Sequence, residues 1–208
     1  MTKPKNIARK LFLSLALAFL TALSLFAMPA HAAEGEAGEG DTTADTEASV
    51  SFEAGELKLV TAPTLFFGDD HPISDEEETY TAQSVGDNVR VSDLRGSGAG
   101  WELRVSLSQF TLDGSEGVET LQGASITTTA PTVKAVNNNL GAPPTQVSEI
   151  VLGSDGVETA VWRAPKDTGM GVWDLEWHAA ATTLTVKPGT AQEGKSVASL
   201  NWSLHSTP

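Results

Sequence analysis

The chain has 208 residues, with 27 acidic and 13 basic side chains, a formal net charge of −14 at pH 7, and no cysteine. Binding to phosphate backbones or to anionic lipids needs a basic protein surface, which so acidic a chain lacks. Nucleic acids and anionic membrane surfaces are therefore excluded as default partners. The absence of cysteine excludes a disulfide framework, so any fold must be held by its core.

Residues 1–32 predict a secretory signal peptide. Four basic side chains precede the almost wholly apolar run Leu11–Met28, and small residues flank a cleavage position after Ala32. The alternative is an uncleaved membrane anchor, because the run is nearly long enough to span a bilayer. Pro29 favours cleavage, which leaves Ala33 at the N-terminus and 9 basic against 27 acidic residues, a formal −18. No membrane contact is expected after cleavage.

Residues 33–48 are Glu, Gly, Asp, Thr and Ala with no large apolar side chain, which predicts a disordered acidic leader. From residue 49 to 208, short apolar runs alternate with turns rich in Gly, Pro and Asn, and no helical periodicity is found. This pattern predicts one all-β domain, an antiparallel β-sandwich or a barrel-like sheet.

Several short strands are expected in chain order, at Leu57–Leu59, Val89–Val91, Ala124–Thr128 and Leu184–Val186. Apolar runs also flank Gly153–Gly156, a Gly-Ser-Asp-Gly sequence. Two apolar runs separated by such a turn predict a β-hairpin.

The stretch after residue 90 gives the clearest strand. Between Trp101 and Ser108 the apolar and polar side chains alternate, which predicts a half-buried antiparallel strand in the middle of a sheet. A glycine-rich turn precedes it, and an ion pair between Asp93 and Arg95 is expected to fix that turn. The alternative is that these two side chains hydrogen-bond a glycan.

The C-terminal stretch repeats this design. Ala198, Leu200, Trp202 and Leu204 share one face, so a second strand is expected there. Because an apolar strand at a sheet edge promotes aggregation, we expect this strand to be paired on both sides. Its clean alternation predicts that Trp202 is the more deeply buried of the two motif tryptophans, and that Trp202→Ala destabilises more than Trp101→Ala.

Catalytic signals are weak. The three histidines outside the signal peptide lack a zinc-binding spacing, no Gly-x-Ser-x-Gly elbow is found, and no two carboxylates stand out as a glycosidase pair. Oxygen ligands cluster at Asp69-Asp70 and at Asp75–Glu78, but without the loop pattern of a calcium site. We therefore expect no enzyme activity, no cofactor and no metal site.

The five tryptophans have two interpretations. Four of them fall on alternating apolar faces, where aromatic side chains usually pack into a core. The other interpretation makes them platforms that stack on sugar rings.

Two Trp-x-Leu motifs in particular contexts carry a family resemblance. Asp93–Gly96 followed by Gly100–Leu103, Leu200–Leu204 near the C-terminus, and the early segment Leu65–Gly68 resemble the WxL-domain surface proteins of Gram-positive bacteria. One departure is Ser196, where that family usually has a tyrosine.

The resemblance implies a secreted, extracellular protein at the cell wall surface that binds peptidoglycan, or another wall glycan, without a covalent link. It also implies assembly with other cell-surface proteins. Two alternatives stay open: an accessory protein for external polysaccharides, and a scaffold that binds only protein. The residues expected to matter for binding or as motif positions are Asp93, Arg95, Trp101, Glu102, Leu103, Trp202, Ser203 and Leu204.

Overall fold

The computed structural model of the protein describes residues 46–207. The predicted signal peptide, its cleavage site between Ala32 and Ala33, and most of the predicted leader lie outside these residues.

The described part is built from antiparallel strands, which confirms the predicted all-β class. A single turn of 3-10 helix covers Ala179–Ala181. The strands, in chain order, are β1 Leu57–Thr61, β2 Leu65–Phe66, β3 Glu78–Thr81, β4 Ser84–Val85, β5 Val89–Asp93, β6 Trp101–Leu107, β7 Phe110–Leu112, β8 Glu119–Thr120, β9 Ser125–Thr129, β10 Thr132–Ala135, β11 Thr145–Gln146, β12 Glu149–Gly153, β13 Thr159–Ala164, β14 Gly171–Glu176, β15 Thr182–Val186, β16 Ser196–Val197 and β17 Leu200–Ser206.

Two sheets form successive halves of the first layer. One has the order β1-β5-β14-β10 and the other β12-β9-β15-β3, while β2 and β4 form a small separate ladder. The chain continues from one half into the other at β3 to β5, β9 to β10 and β14 to β15. Thr183 pairs with Thr81 in one half, and Leu175 pairs with Val89 in the other. The two sheets therefore share continuous chain at three of their strands.

The second layer is built in the same way. Its larger half has the order β11-β13-β6-β17, and its smaller half has the order β16-β7-β8. The chain runs from β6 into β7 and from β16 into β17, so the pair β6–β17 of the larger half is followed by the pair β7–β16 of the smaller half. β6 is central, as its long apolar face predicted.

A single apolar core fills the space between the layers. It includes Val89 and Val91 from the first layer and Leu103 and Val105 from the second, all without solvent-exposed surface. The alternation of β6 predicted this inner face. Burying such side chains contributes about 1.5–3 kcal/mol each, which makes the core the main source of stability in a chain without disulfides.

The predicted hairpin around Gly153–Gly156 is wrong. β12 pairs with β9 in the first layer, and β13 pairs with β6 in the second. The turn connects the two layers at one edge of the sandwich, because both flanking runs are buried against the same core. Turn chemistry alone cannot distinguish a hairpin from such a crossover, since both need a tight reversal.

The expectation that the last strand is paired on both sides is also wrong. Among the described residues, β17 pairs with β6 and forms the edge of its sheet. Its outward side chains are polar, and its inward ones are partly covered by the first layer. No helix in this part of the chain is long and apolar enough to cross a membrane.

Candidate functional site

The first Trp-x-Leu motif lies inside the core. Trp101 has no exposed surface, and its indole nitrogen donates a hydrogen bond of 3.2 Å to the carbonyl oxygen of Gly169. Its ring meets Trp162 edge to face, with 5.1 Å between the ring centroids. Leu103 is fully buried as well. The geometry matches the packing interpretation of Trp101 and leaves no face of the ring for a sugar.

Gly169 allows the Trp101 ring to pack this closely. Its φ of +70° is a left-handed conformation that favours glycine. A Cβ placed on Gly169 would lie 2.5 Å from the Ala164 Cβ and 2.8 Å from the Trp101 indole nitrogen. The turn before β14 therefore seals the first motif from outside, and only a residue without a side chain fits there.

Asp93 and Arg95 hold the turn before β6. The Arg95 guanidinium donates two hydrogen bonds to the buried Asp93 carboxylate, at 2.9 and 2.8 Å, and a third of 2.8 Å to the carbonyl oxygen of Ala99. The hydrogen bond to Asp93 raises the pKa of Arg95 above its usual value. Because its donors are used inside the turn, this geometry fits the expected turn-fixing role better than glycan contact.

The same guanidinium connects the two motif strands. Arg95 Nη1 donates a hydrogen bond of 2.6 Å to Ser206 Oγ at the end of β17. The backbone N–H of Thr207 donates to the carbonyl oxygen of Gly100, at 2.9 Å. The turn before β6 and the end of β17 thus form one hydrogen-bonded corner.

The second Trp-x-Leu motif is only half-buried. Trp202 and Leu204 pack against the core from the edge strand, and the Trp202 ring is tilted against Trp177 with 5.6 Å between centroids. The prediction that Trp202 is buried more deeply than Trp101 is therefore wrong. β17 has a neighbouring strand on one side only, so its side chains lack the cover that β13 gives to β6.

The middle residues of both motifs lie on the outer face of this sheet. Glu102 is nearly buried between Arg104 and Arg163, whose Nε atoms donate hydrogen bonds to its carboxylate at 2.6 and 2.7 Å. Ser203 donates a hydrogen bond of 2.9 Å to Glu158. Burial alone would raise the pKa of Glu102, but the hydrogen bonds and charges of the two arginines outweigh it and lower that pKa.

This outer face holds a small cavity. Its volume is about 270 Å³, and it is lined by Glu102, Arg104, Glu158, His205 and Thr207. The strongest donors and acceptors around it already bond one another. The face is therefore a poor candidate for the main ligand site.

A much larger groove opens at the other end of β6. It has a volume of about 1190 Å³ and lies between two chain segments, residues 63–73 and residues 191–200. Its floor is apolar and includes Leu107, the last residue of β6, and Phe110 of β7. Ser196, where the WxL family usually has a tyrosine, also lines it.

The mouth of the groove combines aromatic and polar groups. Phe66 is 41% exposed, and the ring of His71 packs on Tyr80 with 4.1 Å between centroids. Polar and charged groups from both segments also line the groove; they are Asp69, Asp70, Gln192, Glu193, Lys195 and Ser199. Convergent polar groups over an apolar floor are typical of ligand sites. Within residues 46–207, no cluster of His, Asp and Glu suited to a metal ion is found.

Sequence reasoning did not identify this groove as a site. The resemblance pointed to Leu65–Gly68 as a family segment but not as a ligand site. Asp69-Asp70 were considered only as possible calcium ligands without the usual loop pattern. The available signal was the doublet Phe66-Phe67 followed at once by a polar turn. Of these two rings, Phe66 is exposed and Phe67 packs against the core.

Comparison with protein families gives one match. The model of the WxL domain, a surface domain that binds the cell wall, matches residues 35–208. Neither the curated proteins nor the solved structures compared with the chain include a match. The family match agrees with the resemblance carried by the two Trp-x-Leu motifs, and the chain belongs to the WxL family of cell wall-binding surface proteins.

Proposed function

We propose that the protein is exported, with its signal peptide cleaved after Ala32, and attaches non-covalently to peptidoglycan as part of a cell-surface complex. The observation that carries this proposal is the groove between residues 63–73 and 191–200. A wall-binding domain needs a solvent-exposed ligand surface, whereas the first motif is sealed and the second packs inward. The groove provides such a surface.

The chemistry of the groove suits a sugar chain. A sugar ring presents apolar C–H faces and a rim of hydroxyl groups, so its site needs exposed rings beside hydrogen-bonding side chains. Phe66 and the tilted pair of His71 and Tyr80 supply the rings. Gln192 and Asp70, one from each segment, are within the polar lining. The two Trp-x-Leu motifs then act indirectly, by holding the sheet on which the groove is built.

A wall pull-down tests the proposal. The purified exported protein is mixed with washed cell walls, with purified peptidoglycan and with soluble plant polysaccharides, with no other protein present. We expect co-sedimentation with walls and with peptidoglycan. Binding to the plant polysaccharides alone would support the accessory-protein alternative, and no binding to any glycan would support the scaffold alternative.

Substitutions locate the site. Phe66→Ala with His71→Ala removes two rings from the groove mouth, and we expect the affinity for peptidoglycan to fall at least tenfold while the melting temperature changes little. The control is Leu140→Ala, because Leu140 is 99% exposed and does not line the groove. Unchanged binding by the double variant would remove the groove from the proposal.

A further inference from the structure

A short segment before β1 has the pattern of a strand. In residues 50–54, Val50, Phe52 and Ala54 alternate with Ser51 and Glu53, the period-2 pattern of a strand with one apolar face. Val50 is 78% exposed and Phe52 is 88% exposed. Within residues 46–207 the segment belongs to no sheet. Its apolar face is thus without cover in a single copy.

The open edge of β17 offers a place for a strand. β17 is seven residues long, pairs with β6 on one side, and contains no proline and no lysine that would block pairing. Unpaired N–H and C=O groups along such an edge are a template for another strand. Trp202 and Leu204 are half-buried there, so an added strand would also cover apolar surface.

The segment and the edge meet at one corner of the sandwich. The backbone N–H of Gly55 donates to the carbonyl oxygen of Leu94 at 2.9 Å, and Arg95 donates to Ser206 at the end of β17. The backbone N–H of Leu94 in turn donates to the carbonyl oxygen of Glu56 at 2.9 Å. These two bonds fix residues 55 and 56, which connect the segment to β1 in the first layer. In a single copy, residues 50–54 pair with no strand, and β17 pairs with β6 alone.

We propose that two copies of the chain exchange these segments, so that residues 50–54 of each copy add to β17 of the other. Strand addition to an open edge supplies main-chain hydrogen bonds, and alternate side chains supply specificity. Because donor and acceptor lie at the same corner, one two-fold axis satisfies both and the assembly closes as a dimer. Phe52 of each copy then packs near Trp202 and Leu204 of the other.

Charge opposes this dimer at long range. Both copies are strongly acidic, so they repel one another in dilute buffer. Added salt screens charges beyond roughly 10 Å at 0.1 M. The exchange is driven by apolar contact and backbone hydrogen bonds, so it strengthens when salt rises. An interface that rested on charge pairs would weaken instead.

Sedimentation equilibrium of the exported protein without cell walls tests the dimer. We expect a concentration-dependent dimer that tightens between low salt and about 0.5 M salt. Phe52→Ser weakens it about tenfold or more. Leu140→Ser is the matched control, since it removes an equally exposed apolar side chain away from the corner. Hydrogen exchange then reports the site: the amides of residues 200–206 exchange faster in Phe52→Ser than in the wild type.

Three results would overturn the exchange: a monomer at every concentration and salt, a Phe52→Ser dimer as tight as the wild type, or equal exchange in β17 of both proteins. Because no glycan is present, the outcome is independent of the proposed wall attachment. A protein that binds walls and stays monomeric retains its proposed function and loses only the dimer.

Discussion

The two Trp-x-Leu motifs lie on paired strands of one sheet, where Leu204 is opposite Leu103 and Trp202 is opposite Val105. The first is closed off by β13, by Trp162 and by the turn at Gly169. The second has a neighbouring strand on one side and packs on Trp177 from the edge. The same three-residue pattern thus gives a core element in one strand and a boundary element in the next. Position within the sheet, and not the motif, decides how much each tryptophan contributes to stability.

Replacing the two tryptophans separately tests this difference most directly. Trp101→Ala removes a fully buried ring and its hydrogen bond, so we expect a loss of about 3–5 kcal/mol in the free energy of unfolding. Trp202→Ala removes a half-buried ring and one aromatic contact, for a loss of about 2 kcal/mol. Thermal melts of the two purified variants measure both. Equal losses would contradict the assignment of the two motifs to core and edge.

The seal over the first motif is tested by Gly169→Ala. The added Cβ would press on Trp101 and Ala164, and the residue keeps a left-handed backbone, so we expect a loss of about 2–4 kcal/mol. Gly156→Ala is the control, because its φ of +75° carries the same backbone cost while its Cβ meets open space. The difference between the two melting temperatures isolates the contact with Trp101. No difference would show that Trp101 is less confined than its packing indicates.

The connection between the motifs is tested at Arg95. Arg95→Met leaves the buried Asp93 carboxylate without its main partner and removes the hydrogen bond to Ser206. We therefore expect the free energy of unfolding to fall by about 2–3 kcal/mol. Arg104→Met is the matched control, because its side chain is half-exposed and Glu102 keeps Arg163. The control should lose less than about 1 kcal/mol. Urea unfolding at pH 7 measures both variants, and similar losses would refute the special role of the corner.

Substitutions at the middle residues of the two motifs, Glu102 and Ser203, should change the free energy of unfolding least. The change at Glu102 should depend on pH. Because the pKa of Glu102 is lowered in the folded state, its ion pairs stabilise the protein above the ordinary pKa, about 4.3, and this contribution is lost as pH falls through the lowered value. Glu102→Gln therefore costs about 1 kcal/mol at pH 7 and less in acid. Ser203→Ala, the matching position of the second motif, should leave the pH dependence of the urea midpoint unchanged. A Glu102→Gln profile parallel to that of the wild type would contradict the prediction.

Alternation predicted which side chains face the core but not how fully they are covered. β6 and β17 alternate equally well, so the same pattern predicted a strand paired on both sides in each case, which is correct for β6 and wrong for β17. Pairing between β6 and β17 joins residues about a hundred positions apart, and such long-range partners are set by the whole fold. The crossover at Gly153–Gly156 was missed for the same reason. The Asp93–Arg95 turn was predictable because its hydrogen bonds are local.

The groove was not predictable from periodicity, because it depends on two segments without regular alternation. Residues 63–73 and 191–200 are far apart in sequence and line one groove only in the folded chain. Phe66 and His71 carry no motif that specifies a ligand. Exposure, which only the three-dimensional arrangement shows, separates these rings from the core tryptophans.

The direction of β6 determines how far an attached label or fused domain lies from the groove. β6 begins at Trp101, beside the corner that joins Arg95 to Ser206 at the end of β17, and it ends at Leu107 on the floor of the groove. Seven residues of strand span roughly 20 Å. A label, a fluorophore or a fused domain attached at the end of β17 therefore lies about one strand length away from the groove. Surface attachment through the groove would turn such cargo away from the wall and toward the surroundings of the cell.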